Sequence, residues 1–130
     1  MRDIWGASHT PPMPLALVVD DEPNIRALIE VTLQMEGFET VSVADGISAL
    51  ELAATRRPDV ITLDVMMPGM DGWEVLQRLR TNPKTSDLNI IVCSIFNDPE
   101  LAYSLGARLL LPKPLNSVRF FEALREIGVL

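Results

Sequence analysis

The chain has a single cysteine, Cys93, and a single histidine, His9. One thiol excludes an internal disulfide and suits a reducing compartment. Cys93 lies within an apolar strand pattern, where it reads as a small buried hydrophobe rather than a reactive thiol. With no second histidine, His9 does not make a metal site. Positive charge is also scarce: 11 Lys and Arg stand against 18 Asp and Glu, for a net charge of -7. That balance argues against direct binding to nucleic acid and favours protein partners or cations. No apolar run approaches the length of a membrane span, so no membrane insertion is expected. Residues 1–14 lack the apolar stretch of a signal peptide, so a cytoplasmic location is expected. No internal repeat, linker or second-domain pattern is visible.

What is present is one domain's worth of chain. Its 130 residues are 48% hydrophobic and 22% charged, ordinary for a globular protein with a sizeable core. Residues 1–14, with Gly6, Ser8, Pro11, Pro12 and Pro14 and no periodicity, read as an extended or disordered leader. Residues 15–130 read as the folded unit.

Strand and helix signals alternate five times through that unit. Leu15 to Val19 is a buried strand ending on Asp20-Asp21-Glu22. Pro23 suits the first turn of a helix, and Ile25, Leu28, Ile29, Thr32 and Leu33 mark its inner face. Glu39 to Val43 is a strand nearer the sheet edge. Asp45 caps a second helix with Ile47, Leu50 and Ala54 inward. Val60 to Leu63 is a strand buried on both faces, and it ends on Asp64. Pro68, Gly69 and Gly72 break structure after it, and Gly72 to Asn82 forms a third helix. Asn89 to Ser94 is a fourth strand, Asp98-Pro99 opens a short helix ending near Gly106, and Arg108 to Leu111 is a fifth strand before Lys113. Asn116 caps a last helix with Val118, Phe121 and Leu124 inward. The alternation specifies an α/β fold, a doubly wound five-stranded parallel sheet with helices on both faces.

A parallel sheet brings all its strand C-termini to one edge, where ligands bind. Four strands end on or just before a group with chemical capability: Asp20-Asp21, Asp64, Ser94 and Lys113. Each alone has a structural explanation, as a helix cap, a turn acid or a solvated lysine. Together they can converge. Three carboxylates in one crevice repel one another, and a hard cation such as Mg²⁺ relieves that repulsion. Lys113 could bind an anion there and Ser94 could donate to it. A carboxylate nucleophile, Mg²⁺, a lysine and a hydroxyl are the parts for phosphoryl transfer to Asp64.

These residues carry a resemblance. Leu17-Val18-Val19-Asp20-Asp21-Glu22-Pro23, the loop Asp64-Val65-Met66-Met67-Pro68-Gly69-Met70-Asp71-Gly72, Ser94 and Lys113-Pro114 are similar to the receiver domain of two-component response regulators, of the chemotaxis-regulator type. The likeness spans residues 15–128. It implies a flavodoxin-like sheet of order 2-1-3-4-5 and a cis Lys113-Pro114 bond. It also implies that Asp64 accepts phosphoryl from a histidine kinase or histidine phosphotransfer protein. Asp20, Asp21, Asp64 and the Met66 backbone carbonyl would hold Mg²⁺, and Ser94 and Lys113 would bind phosphoryl oxygens. Such a protein signals to a downstream protein target as a monomer or weak dimer. It is not an enzyme beyond self-phosphorylation from small donors and self-dephosphorylation.

Three positions depart from the family pattern. Leu110 replaces the aromatic expected three residues before the lysine, bulky Ile95 follows Ser94, and the fourth helix is about one turn short. Met66 and Phe96, at positions that influence water attack in the family, are apolar. These departures bear on switching more than on phosphorylation. Two other readings stand beside this one. The chain could be a receiver-like binding module that no longer switches by phosphorylation. It could also be a Mg²⁺-dependent phosphatase with an aspartate nucleophile, although such enzymes want an acid where Met66 stands.

Overall fold

In the computed structural model, residues 13–67, 69–95 and 98–130 are described. The leader expected at residues 1–14 therefore falls almost wholly outside the described residues, as do Pro68 and Phe96. Strands and helices alternate as the sequence pattern requires: β1 (Leu15–Val19), α1 (Pro23–Met35), β2 (Glu39–Val43), α2 (Gly46–Arg56), β3 (Val60–Asp64), α3 (Gly72–Thr81), β4 (Ile90–Ser94), α4 (Pro99–Ser104), β5 (Leu109–Pro112) and α5 (Ser117–Glu126). All pairings are parallel, in the order β2-β1-β3-β4-β5.

Alternation along each strand divides the core in two. Leu17, Val19, Ile61, Leu63, Ile90 and Val92 face one side, where they meet Ala49, Val75, Leu76 and Ala102 of α2, α3 and α4. Ala16, Val18, Val60, Ile91 and Cys93 face the other, against Ile29, Leu33, Phe120 and Leu124 of α1 and α5. This is why β1, β3 and β4 read as continuous apolar runs: both faces are covered. Cys93 is buried, as its apolar setting implied. Among the described residues, no helix is long and apolar enough to cross a membrane.

Several inner faces differ from the sequence reading. In α2 the buried stripe is Gly46, Ala49 and Ala53, and Ile47 is 64% exposed. Small residues win here because α2 lies close against α3; a Cβ on Gly46 would stand 2.8 Å from Val75 Cγ2. In α5, Phe120, Ala123 and Leu124 are buried rather than Val118 and Phe121. The expected set was spaced by three, which drifts around a helix of 3.6 residues per turn. In α1 Leu28 is exposed while Ile29 and Leu33 are buried. The helix ends agree better, because local chemistry sets them. Asp45, Asp71, Asp98 and Asn116 each accept backbone N–H groups at the start of their helices.

Candidate functional site

The C-terminal edge of the sheet gathers the groups singled out from the sequence. Asp20 and Asp21 follow β1, Asp64 and Ser94 are the last residues of β3 and β4, and Lys113 follows β5. A cleft of ≈ 270 Å³ opens there, with Asp20, Asp21, Asp64 and Lys113 in its lining. Asp20 and Asp64 are buried and Asp21 is exposed; carboxylate oxygens of the three lie within 4.8 Å of one another. Ser94 reaches the same edge but is itself fully buried, and its carbonyl accepts the Lys113 N–H at 2.9 Å.

The lysine is the counter-charge of the cluster. Its Nζ donates to Asp20 Oδ2 at 2.8 Å and lies 3.4 Å from Asp64 Oδ1. Burial alone would lower the Lys113 pKa, but the hydrogen bond to Asp20 and the charge of Asp64 outweigh it and hold the pKa above the ordinary lysine value. The Asp64 pKa is also raised, which for an acid disfavours the charged form: burial is the main cause, and the Asp20 charge adds to it. The Met66 N–H at 3.1 Å and Lys113 oppose the rise without cancelling it. Desolvation, more than the mutual repulsion emphasised in the sequence reading, makes the Asp64 carboxylate costly. Cys93 pairs with Asp64 in the β3–β4 register, and burial lifts its thiol to about 12, so it stays protonated beneath the site.

Two residues that the sequence reading did not assign shape this edge. The Arg26 side chain reaches back from α1 and donates to the Asp20 backbone carbonyl at 2.8 Å. Gly72, read only as a breaker, lies against the Asp64 peptide; a Cβ there would fall 2.2 Å from the Asp64 carbonyl oxygen. Its N–H donates to Val65 O at 3.1 Å and closes the loop after β3 onto the start of α3. A glycine following an acid-ended strand was the available signal for Gly72. Nothing in the sequence marks Arg26 apart from other helical arginines. The atypical positions are also placed. Ile95 lines the cleft mouth and is 64% exposed, so its bulk points largely to solvent. Met66 also lines the cleft. Leu110 is half-buried against the α2–α3–α4 side of the core. The Lys113–Pro114 bond is cis.

The residue set suits a hard divalent cation. Mg²⁺ takes oxygen ligands at about 2.1 Å and keeps several waters, so a small inward movement of three oxygens spanning 4.8 Å suffices.

The family model for the response regulator receiver domain matches residues 16–125. The chain belongs to that family. This receiver is 39% identical over 115 residues to the response regulator PleD of Caulobacter vibrioides, covering 85% of the chain and 25% of PleD. It is 33% identical to the DNA-binding dual master transcriptional regulator RpaA of Synechocystis, of which the match covers 49%. The chain thus spans half or less of these larger relatives. Sporulation initiation phosphotransferase F of Bacillus subtilis is matched at 30% identity over 90% of its length and 85% of the receiver. Among solved structures, the chemotaxis response regulator CheY4 of Vibrio cholerae superposes with a TM-score of 0.83 at 34% identity, covering 89% of this chain and 99% of CheY4. Receiver domains are signalling modules that accept phosphoryl groups from histidine kinases or phosphotransfer proteins, and they bind Mg²⁺ in an acidic pocket.

Proposed function

We propose that Asp64 is the phospho-acceptor of this receiver, taking a phosphoryl group from a phosphohistidine on a histidine kinase or phosphotransfer protein. The observation that carries this reading is the convergence of Asp20, Asp21, Asp64 and Lys113 on one cleft, with Lys113 Nζ bridging two of the acids. Asp20, Asp21, Asp64 and the Met66 carbonyl would hold Mg²⁺, which would supply positive charge against the acids and the phosphoryl oxygens. An Asp64 carboxylate oxygen attacks phosphorus, an O–P bond forms, and the P–N bond to the donor imidazole breaks. The imidazole nitrogen keeps that electron pair and takes up a proton. Lys113 then turns from Asp64 to a phosphoryl oxygen, and the Ser94 hydroxyl donates to another. In a low-dielectric edge such preset charges stabilise the transferring group more than water does. The folded receiver is residues 15–130. It acts in the cytoplasm on a downstream protein target, as a monomer or weak dimer, with no direct contact to nucleic acid.

Mass spectrometry of the protein after acetyl phosphate and Mg²⁺ tests this reading. The wild type should gain one phosphoryl group, and Asp64→Asn, which keeps the shape but loses the nucleophile, should not. A variant that gains phosphate to the wild-type extent would move the acceptor elsewhere.

A further inference from the structure

We infer that Arg26 is a positioning residue for the cation site: it sets the acidic loop so that Asp20 and Asp21 present their oxygens together. This rests on the Mg²⁺-binding reading above. Lys113 holds the Asp20 side chain of the loop between β1 and α1, and the backbone of that loop has its own restraints. Glu22 occupies the N-cap of α1, but its side chain makes no capping bond. The β1–β2 pairing ends at Val19–Val43, with one further bond from the Asp20 N–H to Val43 O at 3.2 Å. The carbonyl of Asp20 therefore lies where the strand leaves the sheet.

The Arg26 side chain holds this loop through its guanidinium, whose Nη1 donates to Asp20 O at 2.8 Å, while its backbone N–H makes the first helical bond of α1, to Glu22 O at 3.0 Å. Asp20 Oδ1 in turn accepts the Glu22 N–H at 2.9 Å, which closes the turn around the acid. The Asp20 peptide is thus tied from the sheet on one side and from α1 on the other, and Asp21 hangs between the two ties. Arg26 touches no carboxylate oxygen of the cluster in these bonds. Its part is to fix a backbone, as groups outside the ligand shell of a metal do.

Charge makes the inference testable. An arginine beside a cation site repels the cation, so on Coulomb grounds removing it should tighten Mg²⁺ binding. Positioning predicts the reverse. Mg²⁺ affinity of the unphosphorylated protein is measured by titration calorimetry for the wild type, Arg26→Met, Arg26→Gln and Arg26→Lys, with the metal-free melting temperature of each. Arg26→Met should weaken Mg²⁺ by about 10-fold, the lower range for lost outer-shell partners. Arg26→Lys, which keeps a donor, should recover part of that loss. Arg26→Gln replaces Arg26→Met if the latter does not fold. Unchanged or tighter Mg²⁺ binding in a folded variant would overturn the role of Arg26 alone. A wild type that binds no Mg²⁺ would overturn the metal site itself, and this inference with it.

Discussion

Lys113 Nζ and Asp20 Oδ2 are joined at 2.8 Å across 93 positions of chain, and both side chains are largely withdrawn from water. The pair ties β5 to the end of β1 across the cleft. Asp64 lies at the margin of this pairing, 3.4 Å from the same ammonium. Asp20 has the better share of the lysine, and Asp64 bears an incompletely compensated burial.

That asymmetry gives Asp64 a stability cost with a defined pH range. Its folded pKa is raised above the ordinary value of 3.8. The unfolded chain therefore gives up the Asp64 proton at lower pH than the folded chain does. Above the folded pKa the wild type carries the full cost; below 3.8 the carboxyl is protonated in both states and the cost is gone. Without metal, Asp64→Asn should melt higher than wild type at pH 7. The gap should close as pH falls toward 3.8. Thermal melts across that range, in chelator, check it. A variant less stable than wild type at pH 7 would mean that the Lys113 contact outweighs desolvation.

Mg²⁺ should stabilise the same site from the other direction. A ligand that binds only the folded state raises the melting temperature by mass action. Asp21 is exposed and can be replaced without opening the core. Asp21→Ala should remove the Mg²⁺-induced rise while leaving the metal-free melting temperature within about 2 °C, as surface changes generally do. A metal-induced shift of wild-type size in this variant would place the cation elsewhere.

The strand-end chemistry was legible before the structure because parallel strands share one edge. Once β1, β3, β4 and β5 are recognised, Asp20, Asp64, Ser94 and Lys113 have to meet there. The helix starts at Asp45, Asp98 and Asn116 were legible too, since these residues act within a few residues of themselves. What could not be read was set by contacts distant in sequence. The inward face of α2 depends on how near α3 comes, through Gly46 and Val75. The burial that raises the Asp64 pKa belongs to the assembled edge. Arg26 is defined by a carbonyl that only the end of the β1–β2 ladder leaves available.

Thr62 shows a cost with no local signature. It lies in β3 between Val18 and Ile91, is buried, and its hydroxyl has no hydrogen-bond partner in the structure. An unpaired buried hydroxyl is unfavourable, whereas valine fits the same space and suits a strand. Thr62→Val should raise unfolding stability by about 1 kcal/mol, and the melting temperature by about 4 °C. Denaturant unfolding measures it directly. A less stable variant would show that the hydroxyl has a role in the fold that the hydrogen-bond pattern does not reveal.

The last prediction concerns how phosphorylation leaves the site. Moving a two-state element from 1:99 to 99:1 takes about 5.5 kcal/mol of differential stabilisation. Leu110, at the position of the aromatic expected three residues before the lysine, is half-buried and without a polar group, so under the proposed function the expected route runs through Ser94 and Lys113 to the chain that follows β4. That chain leads into α4, a helix of six residues whose two ends are held differently. At its C-terminal end, Arg80 donates to Gly106 O at 2.7 Å and to Leu88 O at 2.6 Å, and Ala102 is fully buried. Gly106 has φ +104 and lies against the Arg80 side chain, so close that a Cβ there would fall 2.6 Å from Arg80 Cγ. Among the described residues, the N-terminal end is held by the cap of the exposed Asp98, which accepts the Leu101 N–H. Beryllofluoride, a phosphoryl mimic, should therefore change amide exchange over residues 98–101 more than over 102–107. Leu110→Ala should leave that pattern intact, and Arg80→Ala should let the change spread to 102–107. A response lost in Leu110→Ala, in protein that still folds and binds the mimic, would make Leu110 the relay. A uniform response across 98–107 in the wild type would show that Arg80 does not hold the helix end.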